Sequence, residues 1–231
     1  MRIGILAHSF NTALHTYEAL QDLSESEIYV VLSPSPNRSA WSNHAVNLVR
    51  LGIASLKSIR MLRLVANRRL VLLFRPLDDD RTVERLKHLD LDVGLHKAGV
   101  IYRQTTIGAF HVGILNPHIG LLPAYRGRSV MEWSLLQGDP VGITVFFIDS
   151  GIDTGERIVL SEQVDISGRR SMAEAKEYLF SLDGVFFRKA LMRLREGDET
   201  FHHNDGSGRR YYVMSKLFTN VVDQLLKEKR S

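Results

Sequence analysis

Along the first two-thirds of the chain, short apolar runs alternate with stretches of helical spacing. "RIGILA" (2–7), "EIYVVLS" (27–33), "RLVLLF" (69–74), "DVGLH" (92–96), "HVGIL" (111–115) and "GITVFFI" (142–148) are rich in Val, Ile and Leu and bounded by polar residues or glycine, so they predict strands. Between them "NTALHTYEALQDL", the long "HAVNLVRLGIASLKSIRMLRLVAN", "DDRTVERLKHL" and "SVMEWSLLQG" predict helices. Strands apolar on both faces and separated by helices imply an α/β fold, a mostly parallel sheet flanked by helices. After residue 166 the pattern changes. "SMAEAKEYLFSLDGVFFRKALMRLREG" predicts one helical stretch, "DETFHHNDGSGRR" a polar loop and "RYYVM" a strand. A last helix, Ser215 to Lys229, gathers Leu217, Val221 and Leu225 beside Phe218, Val222 and Leu226 on one face. We therefore expect a catalytic domain over residues 1–166. A short C-terminal extension of helices, a small strand and a helix over 167–231 packs on that domain or forms a homodimer contact.

Composition narrows the class. A chain of 231 residues, 44% hydrophobic and 24% charged, buries one substantial core and has the make-up of an ordinary globular protein. The absence of cysteine excludes disulfides, thiolate zinc sites and cysteine nucleophiles, and fits a reducing, cytoplasmic compartment. "MRIGILAHSF" is too short and too quickly polar for a signal peptide, and no stretch is long and apolar enough to predict a membrane span. The net charge of +4 suits an anionic ligand and is a weak argument for nucleic acid. The basic positions Arg50, Lys57, Arg60 and Arg63, leading to Arg68 and Arg69, read as a solvated helix face without stacking aromatics. His111, His202 and His203 have no metal-ligand spacing and read as surface or packing residues, so no metal is expected.

Candidate chemistry sits at one strand end. If "VGILN" is a strand, Asn116 and His118 are two apart and project to the same side, with Pro117 ending the pairing between them. The next strand, "GITVFFI", leads into "DSGIDTG", a glycine-rich turn that puts Asp153 near a neighbouring strand mouth, in reach of His118. Open α/β sheets bind ligands beyond these carboxyl ends. An amide donor, an imidazole and a carboxylate suit acyl transfer to an amine without a covalent enzyme intermediate. Asn116 and protonated His118 donate to the developing oxyanion. Asp153 takes the amine's proton, directly or through water, and orients His118. Taken one at a time, each of these residues reads as structural; their combination and order carry the chemistry.

"NPHIGLLPAYRG" followed by "GITVFFIDSGIDTG" resembles the signature of the 10-formyltetrahydrofolate-dependent formyltransferases, which include enzymes acting on glycinamide ribonucleotide, methionyl-tRNA and nucleotide sugars. The resemblance implies a Rossmann-like fold, 10-formyltetrahydrofolate as co-substrate and Asn116, His118 and Asp153 as the catalytic trio. It also implies that backbone groups of Gly99, Val100, Ile101 and Tyr102, and of Asp149, Ser150 and Ile152, hold the pterin. One departure concerns the residue before Leu-Leu-Pro, commonly Ser in the family and here Gly120.

The acceptor amine is approached by elimination. "LAHSFNTAL" offers Ser9, Asn11 and Thr12 but lacks the glycine-rich phosphate loop that glycinamide ribonucleotide enzymes share. The stretch after the Asp loop is short for the C-terminal domain of a methionyl-tRNA enzyme. By size the chain is expected to formylate a small amine, the amino group of a nucleotide-linked amino-deoxy sugar. Glycinamide ribonucleotide and a hydroxyornithine-type amine stay open as acceptors. So does a deformylase, in which water replaces the amine; the chain opens at its first strand without the regulatory domain usual in such hydrolases. A non-catalytic folate or nucleotide binder is the remaining class.

Overall fold

The computed structural model describes residues 1–34, 45, 64–197 and 200–228, and the chain divides into two compact units, Met1–Leu115 and Asn116–Ser231. The first unit carries a wholly parallel sheet. Its strands are β1 (Arg2–Ala7), β2 (Glu27–Leu32), β3 (Leu70–Leu72), β4 (Val93–Lys97) and the start of β5 (Gly113–His118), in the order β3-β2-β1-β4-β5. Central β1 pairs on both sides, which is why Ile3, Ile5 and Leu6 are fully buried. A Cβ at Gly4 in its middle would stand 2.7 Å from Leu91 Cδ1, so the Leu91 side chain would have to shift.

Among the described residues these strands are accompanied by α1 (Phe10–Leu20), α2 (Asp80–His88) and the single turn α3 (Gln104–Ile107), besides a helical end at 64–66. Their starts are written in the sequence. Ser9 Oγ accepts from the Thr12 N–H at 3.3 Å, and Asp79 Oδ1 accepts from the Arg81 N–H at 3.0 Å. Arg85, Lys87 and His88 in the last turn of α2 complement its dipole. The long predicted helix over 44–67, with Arg50, Lys57, Arg60 and Arg63, lies outside the described residues except for Ala45 and its final turn. Beyond it, Arg69 pairs with Glu27 Oε1 at 2.8 Å.

The second unit mixes directions. From Asn116 it completes β5 and adds β6 (Tyr125–Gly127), α4 (Val130–Gln137), β7 (Gly142–Phe147) and β8 (Arg157–Gln163). Then come α5 (Met172–Ser181), α6 (Asp183–Arg195), β9 (His202–His203), β10 (Arg209–Tyr211) and α7 (Lys216–Glu228). β8 runs antiparallel to both β7 and β9, and β10 lies parallel to β6. The α/β, mostly parallel expectation holds, with antiparallel pairs confined to this unit.

Several local expectations change here. The single helical stretch predicted over 171–197 is two helices that break at Leu182, where the Ser181 hydroxyl turns back to the Tyr178 carbonyl. β5 continues through Pro117 to His118, although its ladder with β4 ends at Leu95–Leu115, one residue before Asn116. Proline lacks an N–H but stays compatible with an extended backbone. The polar loop 198–210 contains β9, drawn into register by β8. On α7, Val222 and Leu226 are buried while Leu217, Phe218 and Val221 remain exposed.

Candidate active site

Asn116 and His118 stand on the same side of β5, as its alternation requires, and both line a cavity of about 330 Å³ with Arg128, Ser129, Glu132, Lys176 and Phe180. His118 is buried. Its Nε2–H donates to the Tyr125 carbonyl at 2.8 Å, which fixes the tautomer and leaves Nδ1 on the Asp153 side. Nδ1 stands 3.5 Å from Asp153 Oδ1, with side-chain exposures of only 8% and 12%. That distance is longer than a good N–H···O bond, so the two groups face each other with room between them for adjustment on binding. Phe146 stands edge-on to the imidazole at 6.4 Å. The Asn116 amide makes no hydrogen bond among the described residues, which leaves it available to a ligand.

Gly120, the residue that departs from the family's usual serine, is explained by this packing. A Cβ there would meet His118 Nε2 at 2.7 Å, the Tyr125 carbonyl at 2.9 Å and Val130 Cγ2 at 2.9 Å. The following Leu-Leu-Pro turn is pinned by buried Thr144. Its hydroxyl donates to the Gly120 carbonyl at 2.7 Å and accepts from the Leu122 N–H at 3.1 Å.

Asp153 adopts a left-handed conformation with φ of 52° in the loop between β7 and β8. Three residues hold this loop. The Gly127 N–H donates to Asp153 Oδ2 at 3.0 Å. Asn204, 2% exposed, donates to the Asp153 carbonyl at 3.2 Å and the Gly155 carbonyl at 3.1 Å. Asp149 braces the loop's start, accepting from the Gly151 N–H at 2.9 Å and the Thr154 hydroxyl at 2.8 Å. Gly127, with φ of 110°, must lack a side chain because a Cβ would lie 2.2 Å from the Tyr211 carbonyl of β10. That carbonyl also accepts from the Arg128 N–H at 3.1 Å.

The remaining expected residues fall in two places. Ser150 and Ile152 share the Asp153 loop with Asp149. Gly99, Val100, Ile101 and Tyr102 follow β4 in the first unit. Gly99 has φ of 63° and open space where a Cβ would sit, Ile101 is exposed, and Tyr102 is buried with its hydroxyl hydrogen-bonded to His96 Nδ1 at 2.9 Å. His111 pairs with Asp90 at 2.8 Å, and His202 and His203 form the exposed β9. No group of three or more metal-ligating side chains stands together among the described residues. Sequence reasoning missed Glu132 and Asn204. Asn204 lay in a stretch read as a polar loop, where nothing local marks one Asn as buried.

Comparison with known proteins adds to this picture. Residues 75–187 match the family described as Formyl transferase. The methionyl-tRNA formyltransferase of Chloroflexus aggregans is 30% identical over 228 residues, 98% of this chain and 70% of that protein. The chain spans less than half the length of four other methionyl-tRNA formyltransferases that it matches, 28% to 47%. By fold it is similar to a sugar N-formyltransferase from Shewanella, with a TM-score of 0.65 and 14% identity over 98% of this chain and 87% of that one. A formyltransferase from Anoxybacillus kamchatkensis, in complex with UDP-4,6-dideoxy-4-formamido-L-AltNAc and tetrahydrofolate, superposes with a TM-score of 0.58 and 18% identity over 99% of both chains.

Proposed function

The chain belongs to the 10-formyltetrahydrofolate-dependent formyltransferase family, and from that premise we propose that it moves the formyl group of 10-formyltetrahydrofolate onto the amine of a nucleotide-linked amino-deoxy sugar. The observation that carries the chemistry is the buried His118–Asp153 pair, with Nδ1 and Oδ1 3.5 Å apart, beside the unbonded Asn116 amide. Because Nε2 is committed to the Tyr125 carbonyl, Nδ1 is the nitrogen that turns to the reacting group. The neutral amine attacks the formyl carbon, forming a C–N bond and an oxyanion. Asn116 Nδ2–H and, as imidazolium, His118 Nδ1–H donate to that oxygen. Asp153 accepts the proton that the attacking nitrogen sheds, directly or through water. Collapse breaks the bond to the folate nitrogen, which takes up a proton in turn. Backbone groups of Asp149, Ser150 and Ile152 are proposed to hold the pterin, and those of Gly99, Val100, Ile101 and Tyr102 are proposed for the same task.

The acceptor reading rests on the cavity beside Asn116 and His118, whose volume suits a small molecule. It also rests on the sugar N-formyltransferases of similar fold. A tRNA acceptor is the second reading, favoured by the identity to the Chloroflexus protein. No described helix is long and apolar enough to cross a membrane, and a cytoplasmic location belongs to the proposal. So does a homodimer, for which the exposed Leu217, Phe218 and Val221 offer an apolar face.

Tetrahydrofolate release tests the proposal, measured with TDP-, UDP- and GDP-linked amino sugars, glycinamide ribonucleotide, hydroxyornithine, methionyl-tRNA and water alone. Turnover confined to an amino sugar is expected. Turnover with methionyl-tRNA or the ribonucleotide alone replaces the acceptor, and release in water alone identifies a deformylase. Asp153→Asn is expected to lower kcat by at least about 100-fold while folate binding stays within a few-fold. Near wild-type turnover in that variant refutes the mechanism.

A further inference from the structure

The cavity wall holds a charged pair that the reacting trio does not use. Glu132, on the first turn of α4, has a side chain 8% exposed, and its Oε1 accepts from Lys176 Nζ of α5 at 2.9 Å. Its other oxygen, Oε2, is shut off from bulk water and has no hydrogen-bond partner among the described residues. A buried carboxylate oxygen left unpaired is unfavourable, and a buried ion pair is weak support for a fold compared with apolar side chains of the same volume. Packing therefore gives no reason for a carboxylate here. Its place in the cavity beside Asn116 and His118 does.

The surrounding charges say what enters. Arg128 is exposed at the same cavity, and its guanidinium makes no hydrogen bond or ion pair among the described residues. Lys176 is 44% exposed and keeps N–H donors beyond the one given to Glu132. One side of the cavity thus carries a carboxylate whose inner oxygen is unpaired, and the same lining offers two cations.

We propose that Glu132 and Lys176 select the acceptor. Glu132 Oε2 takes a hydrogen bond from a hydroxyl or amide N–H of the acceptor's sugar ring, and Lys176 with Arg128 faces its phosphates. The pair discriminates polyhydroxylated, phosphate-bearing amines from simple ones, because an acceptor without the ring donor leaves Oε2 unpaired. This rests on the formyl-transfer reading for the identity of the entering molecule, but the binding step is measurable without turnover.

Titration calorimetry with UDP- and TDP-linked 4-amino-4,6-dideoxy sugars, and with UDP and TDP alone, tests it. Glu132→Gln is expected to weaken amino-sugar binding at least tenfold and to leave the bare nucleotides within twofold. Lys176→Met is expected to weaken both. The double variant Glu132→Met with Lys176→Met is expected to melt at or above the wild-type temperature yet lose amino-sugar binding, which separates recognition from folding. Equal amino-sugar binding by wild type and Glu132→Gln overturns the proposal. So does an equal loss for the bare nucleotides in Glu132→Gln, or a wild type that binds none of the amino sugars. Amino-sugar binding that depends on Glu132 but never yields tetrahydrofolate supports the selection and refutes formyl transfer instead.

Discussion

Asn204→Asp tests how Asp153 is held. The change keeps the volume of the side chain and removes both N–H donors, so the carbonyls of Asp153 and Gly155 lose their partners inside the protein. Each orphaned buried carbonyl costs about 1–3 kcal/mol. The bonds of 3.2 and 3.1 Å sit at the long end of the normal range and argue for the lower half of it. Together they give a loss of about 3 kcal/mol. In a protein of 231 residues that loss lowers Tm by roughly 6–12 °C. A buried carboxyl prefers its neutral form, whose O–H can donate to one of the two carbonyls. The deficit is therefore expected to be largest in alkali and to shrink in acid, whereas Asn204→Leu loses stability without that pH dependence. Relaxation of the loop moves Asp153 from His118, so kcat is expected to fall at least about tenfold while KM for both substrates changes little. Thermal melts across pH with steady-state kinetics measure both effects. A Tm deficit under about 2 °C with unchanged kcat would refute the role assigned to Asn204.

Two further perturbations act elsewhere. The His96 pKa is pushed down to about 4, chiefly by burial, with the charges of Lys97 and His8 adding to it. In the unfolded chain the ring titrates near 6.5, so as pH falls the unfolded state takes up a proton first. This contribution is fully present above about pH 6.5 and is lost toward pH 4, roughly 3 kcal/mol in all. Urea unfolding is expected to show that slope in the wild type and a flatter profile in His96→Gln; superimposable profiles refute it. Gly208→Ala would set a Cβ 1.4 Å from the Pro123 carbonyl oxygen and 2.4 Å from its carbon, both backbone. β10 must then lift from β6, and Gly127 with its bond to Asp153 loses its support. A stability loss above about 3 kcal/mol is expected, with faster proteolysis between β9 and α7; a wild-type digestion pattern refutes it.

What could be read in advance followed local periodicity. β1 coincides with "RIGILA" because an uninterrupted apolar run needs no distant information to declare itself. β8 went unread because only its early positions are apolar; Ser161, Glu162 and Gln163 are exposed, which blurs any alternation. β6 and β9, three and two residues long, exist only through pairing with distant segments, whereas β10 was expected from "RYYVM" and lies slightly earlier, at Arg209–Tyr211. The candidate site divides in the same way. Asn116 and His118 were legible from the period of a strand, and Asp153 from the glycines around it. Glu132 was hidden because a charge on the buried side of a helix breaks the pattern used to find helices. Asn204 was hidden because its burial depends on β9 meeting β8.

Much of what orients the trio is backbone. The Tyr125 carbonyl sets the His118 ring, and the Gly127 N–H holds Asp153. Every residue type but proline carries both groups, so no side chain at those positions announces the task. The trace they leave is steric. Where two backbones or a backbone and an imidazole come together, the chain must give up its Cβ, at Gly120 against His118, Gly127 against Tyr211 and Gly208 against Pro123. A glycine next to a suspected catalytic side chain is thus a clue of the same rank as that side chain. In this sequence Gly120 reads only as a departure from the family's usual serine; its closeness to His118 Nε2, 2.7 Å from where a Cβ would sit, is what the structure adds.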